Sequence, residues 1–151
     1  MRAVVTRVSS ASVTIDGAVH GKIGPGFLIL LGVGPDDTEQ HARKLAEKIL
    51  GLRIFEDEDG KINRDLSDVG GSVLVISQFT LFADCRKGRR PNFMGAAGPE
   101  LGNAMYETFL AICAELGYPP QHGEFGACMQ VESVNDGPVT LILDTDELMK
   151  K

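Results

Sequence analysis

Ser77-Gln78-Phe79-Thr80 ends the apolar run Val73 to Ile76 with three hydrogen-bonding side chains in four residues. Polar groups at the end of a buried strand need partners or must lie at the surface. Two readings therefore stand side by side. The strand simply emerges into solvent, or a backbone N–H and the hydroxyls meet a ligand at its exit. His20, His41 and His122 are scattered, with no paired spacing, and each reads as a surface or loop residue. The usual general base of a Ser-His-Asp hydrolase is then missing.

Two further segments invite chemistry. Arg86-Lys87-Gly88-Arg89-Arg90-Pro91 places four basic residues within five positions of a chain whose formal charge is −6. A solvated loop is the plain reading, but cations set against the overall sign also suit a polyanion, since Lys and Arg pair with phosphates. So short a patch reaches only a few of them. Asn135-Asp136-Gly137-Pro138 is longer than a hairpin requires, because Asn-Gly or Asp-Gly alone would turn the chain. Pro138 restricts Gly137 and removes a donor. That suits a plain turn before a strand, or a rigid element whose carbonyls are aimed at something. About one X–Pro bond in twenty is cis, so spacing alone does not argue for a cis bond here.

Other sites fail on spacing. No stretch fits GxxxxGK[ST], and Gly32 and Gly34 are followed by Asp37 where a dinucleotide fingerprint needs its third glycine. Asp57-Glu58-Asp59-Gly60 resembles part of a calcium loop, yet Phe55 and Leu66 stand at the first and last ligand positions. It reads as a solvated hairpin turn. Cys85, Cys113 and Cys128 have no CxxC spacing and are odd in number, which argues against a disulfide framework or zinc ribbon and for a reducing cytosol. Cys113 and Cys128 read as small buried hydrophobes; Cys85 has basic neighbours in Arg86 and Lys87. No metal or other cofactor is expected.

At 151 residues, 43% apolar and 24% charged, the chain fits one soluble domain spanning 1–151 and excludes disorder as a description of the whole. No apolar run approaches the ~20 residues of a membrane-spanning helix. The start, MRAVVTRVSS, lacks a signal peptide's apolar stretch. A cytoplasmic protein without a membrane partner is expected. The acidic balance disfavours generic grip on a nucleic-acid backbone.

The elements that must position these residues follow from pattern. Val- and Thr-rich segments at 2–8 and 11–15 read as strands, and Asp16-Gly17 as the hairpin turn returning Ala18 to Ile23. Gly24-Pro25-Gly26 leads into a buried strand, Phe27 to Val33. Asp36 and Asp37 are N-cap candidates for a helix whose apolar face is Ala42, Leu45, Ala46 and Ile49. Leu52 to Phe55 reads as a strand, and within Ser72 to Leu81 the VLVI segment reads as a fully buried one. Pro99 opens a second helix with Leu101, Met105, Phe109, Ile112 and Leu116 on one face, ended by Gly117. A hairpin of 126–134 and 139–143, turning at Asn135-Asp136-Gly137, closes the chain. The class is α+β with two main helices.

In order along the chain, ASVTIDG, GKIGPGFLILLGV, LRIF, SQFTL at 77–81, KGRRPNF, FGACMQV and NDGPVT at 135–140 resemble the D-aminoacyl-tRNA deacylase family. The resemblance covers nearly the whole chain. It implies a homodimer with a β-barrel-like fold that hydrolyses the ester between a D-amino acid and the 3′-terminal adenosine of tRNA, in some members also removing glycine. Aminoacyl-tRNA is thus the implied partner, and the site lies at the dimer interface. Ser77, Gln78, Thr80 and the Phe79 N–H match the family's catalytic strand motif. Gly137-Pro138 matches its Gly-cisPro element, inserted into the partner's pocket; Arg7 matches the residue holding that element, and Met129 a pocket-lining position. Arg86, Lys87, Arg89 and Arg90 are candidate tRNA contacts. KINRD at 61–65 and Asn92 in RPNF depart from the familiar pattern, which bears on loop contacts with tRNA more than on the reaction.

Such a site would reject chirality with backbone. If two carbonyl oxygens fix the α-ammonium while the ester and ribose are also held, one direction remains free at Cα. An L side chain is then driven into main chain, whereas a D side chain or glycine's hydrogen is not. Thr80 has no evident base, so the motif suits orientation of the ester and stabilisation of the oxyanion, with the ribose 2′-hydroxyl assisting water. The rivals are an editing deacylase for a mischarged L-amino acid and a non-catalytic RNA-binding module of the same fold.

Overall fold

The computed structural model describes residues 1–150; Lys151, the last residue of the expected 1–151 domain, lies outside the described residues. Its elements are β1 (Arg2–Ile15), β2 (Ala18–Ile23), β3 (Gly26–Gly32), α1 (Glu39–Leu50), β4 (Phe55–Glu56), β5 (Ile62–Arg64), α2 (Leu66–Val69), β6 (Ser72–Ser77), a 3-10 turn (Phe79–Phe82), α3 (Pro99–Glu115), β7 (Gln121–His122), β8 (Gln130–Asp144) and α4 (Thr145–Leu148).

One sheet runs β2-β1-β3-β6-β7, with β8 also paired to β1. The sheet curls until Gly21 on β2 meets the main chain of His122 on β7, giving a nearly closed barrel-like form. The uninterrupted apolar runs of β3 and β6 have a simple cause: both faces are buried. Phe27, Ile29, Leu31, Val73 and Val75 pack outward with Leu45 and Ile49 of α1 and with Tyr106 and Phe109 of α3. Leu28, Leu74 and Ile76 point the other way, into an inner core with Val8, Val13 and Ile23. Alternation along each strand divides one run between two cores.

The α+β class and its two main helices stand, joined by the one-turn helices α2 and α4. Several boundaries differ from the expectation. The two N-terminal strands are one, β1, because its first half pairs with β3 and its second with β2. Leu52 to Ile54 is irregular, and the strand begins only at Phe55. On α3 the buried set is Gly102, Tyr106, Phe109, Leu110, Ile112 and Cys113, while Leu116 is exposed. The Asp57–Gly60 turn does join two strands, β4 and β5.

The largest correction concerns the chain's end. There is no closing hairpin: residues 130–144 form one strand, antiparallel to β1 along its length. The pairing passes from Val8↔Asn135 to Thr6↔Thr140, so Asp136 to Val139 stand opposite Arg7 alone. Asn135-Asp136-Gly137-Pro138 is therefore an excursion from a strand edge. Its turn-rich composition cannot distinguish the two, because either needs residues that leave the ladder.

Candidate active site

β6 ends at Ser77, opposite Leu31, one residue before its parallel partner β3 ends at Gly32. Gln78 N donates to Leu31 O at 2.7 Å, and the chain then tightens into the 3-10 turn Phe79–Phe82. Thr80, read with Ser77 to Phe79 as the end of that strand, thus sits on a turn just beyond it. The turn is held from outside by Arg2, which donates from Nη1 to Leu81 O at 3.0 Å. The same guanidinium lies 4.4 Å from the Phe82 ring centroid and donates from Nε to Asp144 Oδ2 at 3.1 Å.

Gln78 Nε2 donates to Thr80 Oγ1. An amide cannot accept the hydroxyl proton as a base, and with its oxygen already accepting, Thr80 is left as an O–H donor. Ser77, Gln78 and Phe79 open onto a cleft of about 600 Å³ lined also by Ile76, Phe93, Phe125 and Met129. Its walls are predominantly apolar, as suits a base or sugar face.

Met129 is seated from below. It packs on the inner core and on Gly123, where a Cβ would collide with its sulfur. Phe125 lies against Gly102 and Tyr106 of α3, and the buried Tyr106 hydroxyl donates to Val75 O at 2.8 Å. Burial holds that phenol well above its ordinary pKa.

The second group of expected residues gathers around the excursion from β8. Arg7, 4% exposed, donates from Nε to Asp136 O and from Nη1 to Ile54 O, each at 2.8 Å. Asn135 closes the excursion's base: its Oδ1 accepts from Val139 N and its Nδ2 donates to Thr140 Oγ1, both at 3.0 Å. Gly137 has φ +141°, and the Gly137–Pro138 peptide is cis. A Cβ at Gly137 would lie 2.8 Å from Val139 Cγ2 and 3.0 Å from Arg7 Nη2. Gly137 and Pro138 are exposed and are not among the residues lining their own chain's cleft. Ser77, Gln78, Phe79 and Met129 line one cleft, to which Thr80 is joined through its bond from Gln78; Gly137, Pro138 and Arg7 form a second cluster.

The basic loop rises beside the cleft, closed by mutual main-chain bonds between Asp84 and Asn92 of 2.7 and 2.8 Å. Arg86 is tied to Asp84 by two side-chain bonds, and this pairing draws the exposed Asp84 carboxyl below its ordinary pKa. Lys87, Arg89 and Arg90 are exposed and make no ion pair among the described residues. No group of three or more His, Cys, Asp or Glu among the described residues could hold a metal ion, and no helix is long and apolar enough to cross a membrane. Cys113 is buried, its thiol pushed up to about 12 by desolvation. Cys128, by contrast, is exposed and precedes β8, correcting the buried strand position expected for it. Phe93 and Phe125 escaped the sequence reading as site residues; the one available signal was their presence in RPNF and FGACM.

A family model described as D-Tyr-tRNA(Tyr) deacylase matches residues 4–144. The chain belongs to that family. It is 58% identical over 147 residues to a D-aminoacyl-tRNA deacylase of Thermus aquaticus, covering 97% of each chain. It is 57% identical over 144 residues to one of Deinococcus radiodurans, covering 95% of this chain and 99% of that one. Among solved structures, the c-Myc DNA Unwinding Element Binding Protein superposes with a TM-score of 0.90 at 41% identity, over 95% of this chain and 98% of that one. A probable eukaryotic D-amino acid tRNA deacylase, at 17% identity, 94% and 97% coverage and a TM-score of 0.79, shares the fold. In this deacylase-family member, as the geometry requires, the strand-exit motif and the cleft are contiguous.

Proposed function

We propose that residues 1–151 act as one D-aminoacyl-tRNA deacylase domain in the cytoplasm, hydrolysing the ester between a D-amino acid, or glycine, and the 3′-terminal adenosine of tRNA. The observation that carries this is the placement of Ser77, Gln78 and Phe79 on an apolar cleft, with Thr80 kept as a donor by Gln78, in a chain of this family. The terminal adenosine enters the cleft against Met129 and Phe125. Thr80 Oγ1 and the Phe79 N–H donate to the ester's developing oxyanion. The ribose 2′-hydroxyl assists the attacking water, so no protein base is needed.

The functional unit is a homodimer. Gly137 and Pro138 project from a strand, held by the buried Arg7, and their carbonyl oxygens bind the α-ammonium in the partner's cleft. Support comes from exposed apolar residues spaced along β8: Val131 and Val134 at an open groove with Ser10–Ser12, and Ile142 beyond the excursion. Such a surface on one strand suits burial against a second copy. Main chain then occupies the space an L side chain would need, and side-chain variety on the D face is tolerated. Lys87, Arg89 and Arg90, with Arg86, meet tRNA phosphates beside the cleft.

Deacylation of matched D- and L-tyrosyl-tRNA tests the reading. Rapid release of D-tyrosine with L-tyrosyl-tRNA spared is expected; equal rates on the two, or no hydrolysis of either, would refute it.

A further inference from the structure

The mouth of the cleft carries apolar surface that the proposed chemistry does not use. Phe79 is 54% exposed, Phe93 38% and Met94 88%. The two rings meet edge to face with centroids 5.2 Å apart, and both line the cleft on its solvent side. Deeper in, Ile76 is buried and Phe125 and Met129 are half-buried. The cleft therefore has a sheltered end and an aromatic rim.

The rim is joined to charge. Phe93 directly follows Asn92, whose bonds to Asp84 close the basic loop, and Asn92 Oδ1 accepts from Met94 N at 2.8 Å. One short segment thus fixes both the aromatic residue and the loop bearing the unpaired Lys87, Arg89 and Arg90. Exposed rings beside free cations are what single-stranded nucleic acid requires: bases stack on the rings while phosphates meet the cations. A protein partner with an apolar patch would gain nothing from the cations. A duplex would offer no unstacked base to the rings.

We propose that Phe79, Phe93 and Met94 form a stacking platform for the single-stranded nucleotide preceding the terminal adenosine, with Lys87, Arg89 and Arg90 taking its phosphates. This rests on the deacylase reading, which puts the adenosine at the sheltered end. The platform then adds grip only when a further nucleotide is present. Ribonucleotide length, not side-chain identity of the amino acid, governs that contribution.

The test compares D-tyrosyl esters of adenosine, of the dinucleotide CpA and of the trinucleotide CpCpA. They are assayed with the wild type, Phe93→Ala and Phe93→Tyr, with sedimentation of each variant alongside. For the wild type, kcat/KM should rise about tenfold from adenosine to CpA, the scale of one stacked base. Phe93→Ala should abolish most of that rise through KM, and Phe93→Tyr should keep it. A wild-type rise that survives in Phe93→Ala, or no rise at all, would overturn the platform even though the wild type still cleaves the adenosine ester. Failure of the wild type to cleave any of the three esters would instead overturn the deacylase reading, and the platform with it.

Discussion

Arg7 and Asp136 are bound across the edge of the barrel: the buried Arg7 Nε donates to the Asp136 carbonyl at 2.8 Å. Nη1 of the same guanidinium reaches Ile54 O at the same distance, so one side chain ties the excursion from β8 to the segment leading into β4. A fork of fixed donors suits two carbonyls in different directions, which an ammonium does not. Arg7→Lys is therefore expected to lose most deacylase activity, and Arg7→Ala to lose about 2–4 kcal/mol of stability as well, since one buried and one partly buried carbonyl forfeit a charged donor. Urea unfolding and single-turnover assays of both variants check this. A fully active Arg7→Lys enzyme would remove Arg7 from its positioning role.

Thr80 is expected to act as a donor. Thr80→Ala should lower kcat by about 10²–10³, the usual cost of one oxyanion donor, and Thr80→Ser should restore most of the rate. Rapid quench with labelled D-tyrosyl-tRNA should find no acyl group on the protein. A stoichiometric burst of labelled protein would identify Thr80 as a nucleophile instead.

The turn bearing Thr80 depends on Arg2 through its Leu81 bond, its Phe82 stacking and its Asp144 pairing. Arg2→Met removes all three. It should lower kcat about tenfold with little change in KM, in line with ~1–2 kcal/mol from a charged hydrogen bond and a cation–π contact. Amide exchange at Ala83, whose N–H bonds to Thr80 O at 3.0 Å, should quicken. Unchanged exchange there would contradict the clamp.

Stability should decline in alkali. Burial raises Cys113 from an ordinary 9.0 to about 12, and raises Tyr106 above an ordinary 10.0. In both groups the folded state favours the neutral form. Their contribution is complete below the unfolded values and is lost as pH rises through roughly 9 to 12, because the unfolded chain releases protons first. Urea midpoints should hold near neutrality and fall above about pH 9. Thiol titration of the native chain should find Cys85 and Cys128 alone; a rapidly reacting Cys113 would contradict its burial.

Much of this architecture is legible in local pattern. Asp16 and Gly17 both adopt positive φ in the β1–β2 hairpin, as the Asp-Gly signal implies. Ala42, Leu45, Ala46 and Ile49 are all buried on α1. What local pattern cannot supply is pairing. The buried run 73–76 does not say where its strand stops until the pairing with β3 is seen to end at Ser77, and NDGP looks like a hairpin until β1 is seen to continue past it on the same edge. The cleft's second wall is illegible for the same reason. Phe93 and Phe125 are far apart in sequence, and only the fold brings both to the cleft.

That two chains complete each site is tested most directly by mixing two defective variants. Thr80→Ala spoils a cleft and leaves the excursion intact; Gly137→Ala, strained at φ +141° and crowded against Val139 and Arg7, spoils the excursion and leaves the cleft. In a mixed dimer, the Gly137→Ala chain's cleft receives an intact excursion from the Thr80→Ala chain. Unfolding and refolding an equal mixture should restore about a quarter of wild-type D-tyrosyl-tRNA deacylation, since half the dimers are mixed and each has one complete site. A refolded mixture no more active than the mean of its parents would contradict the shared site.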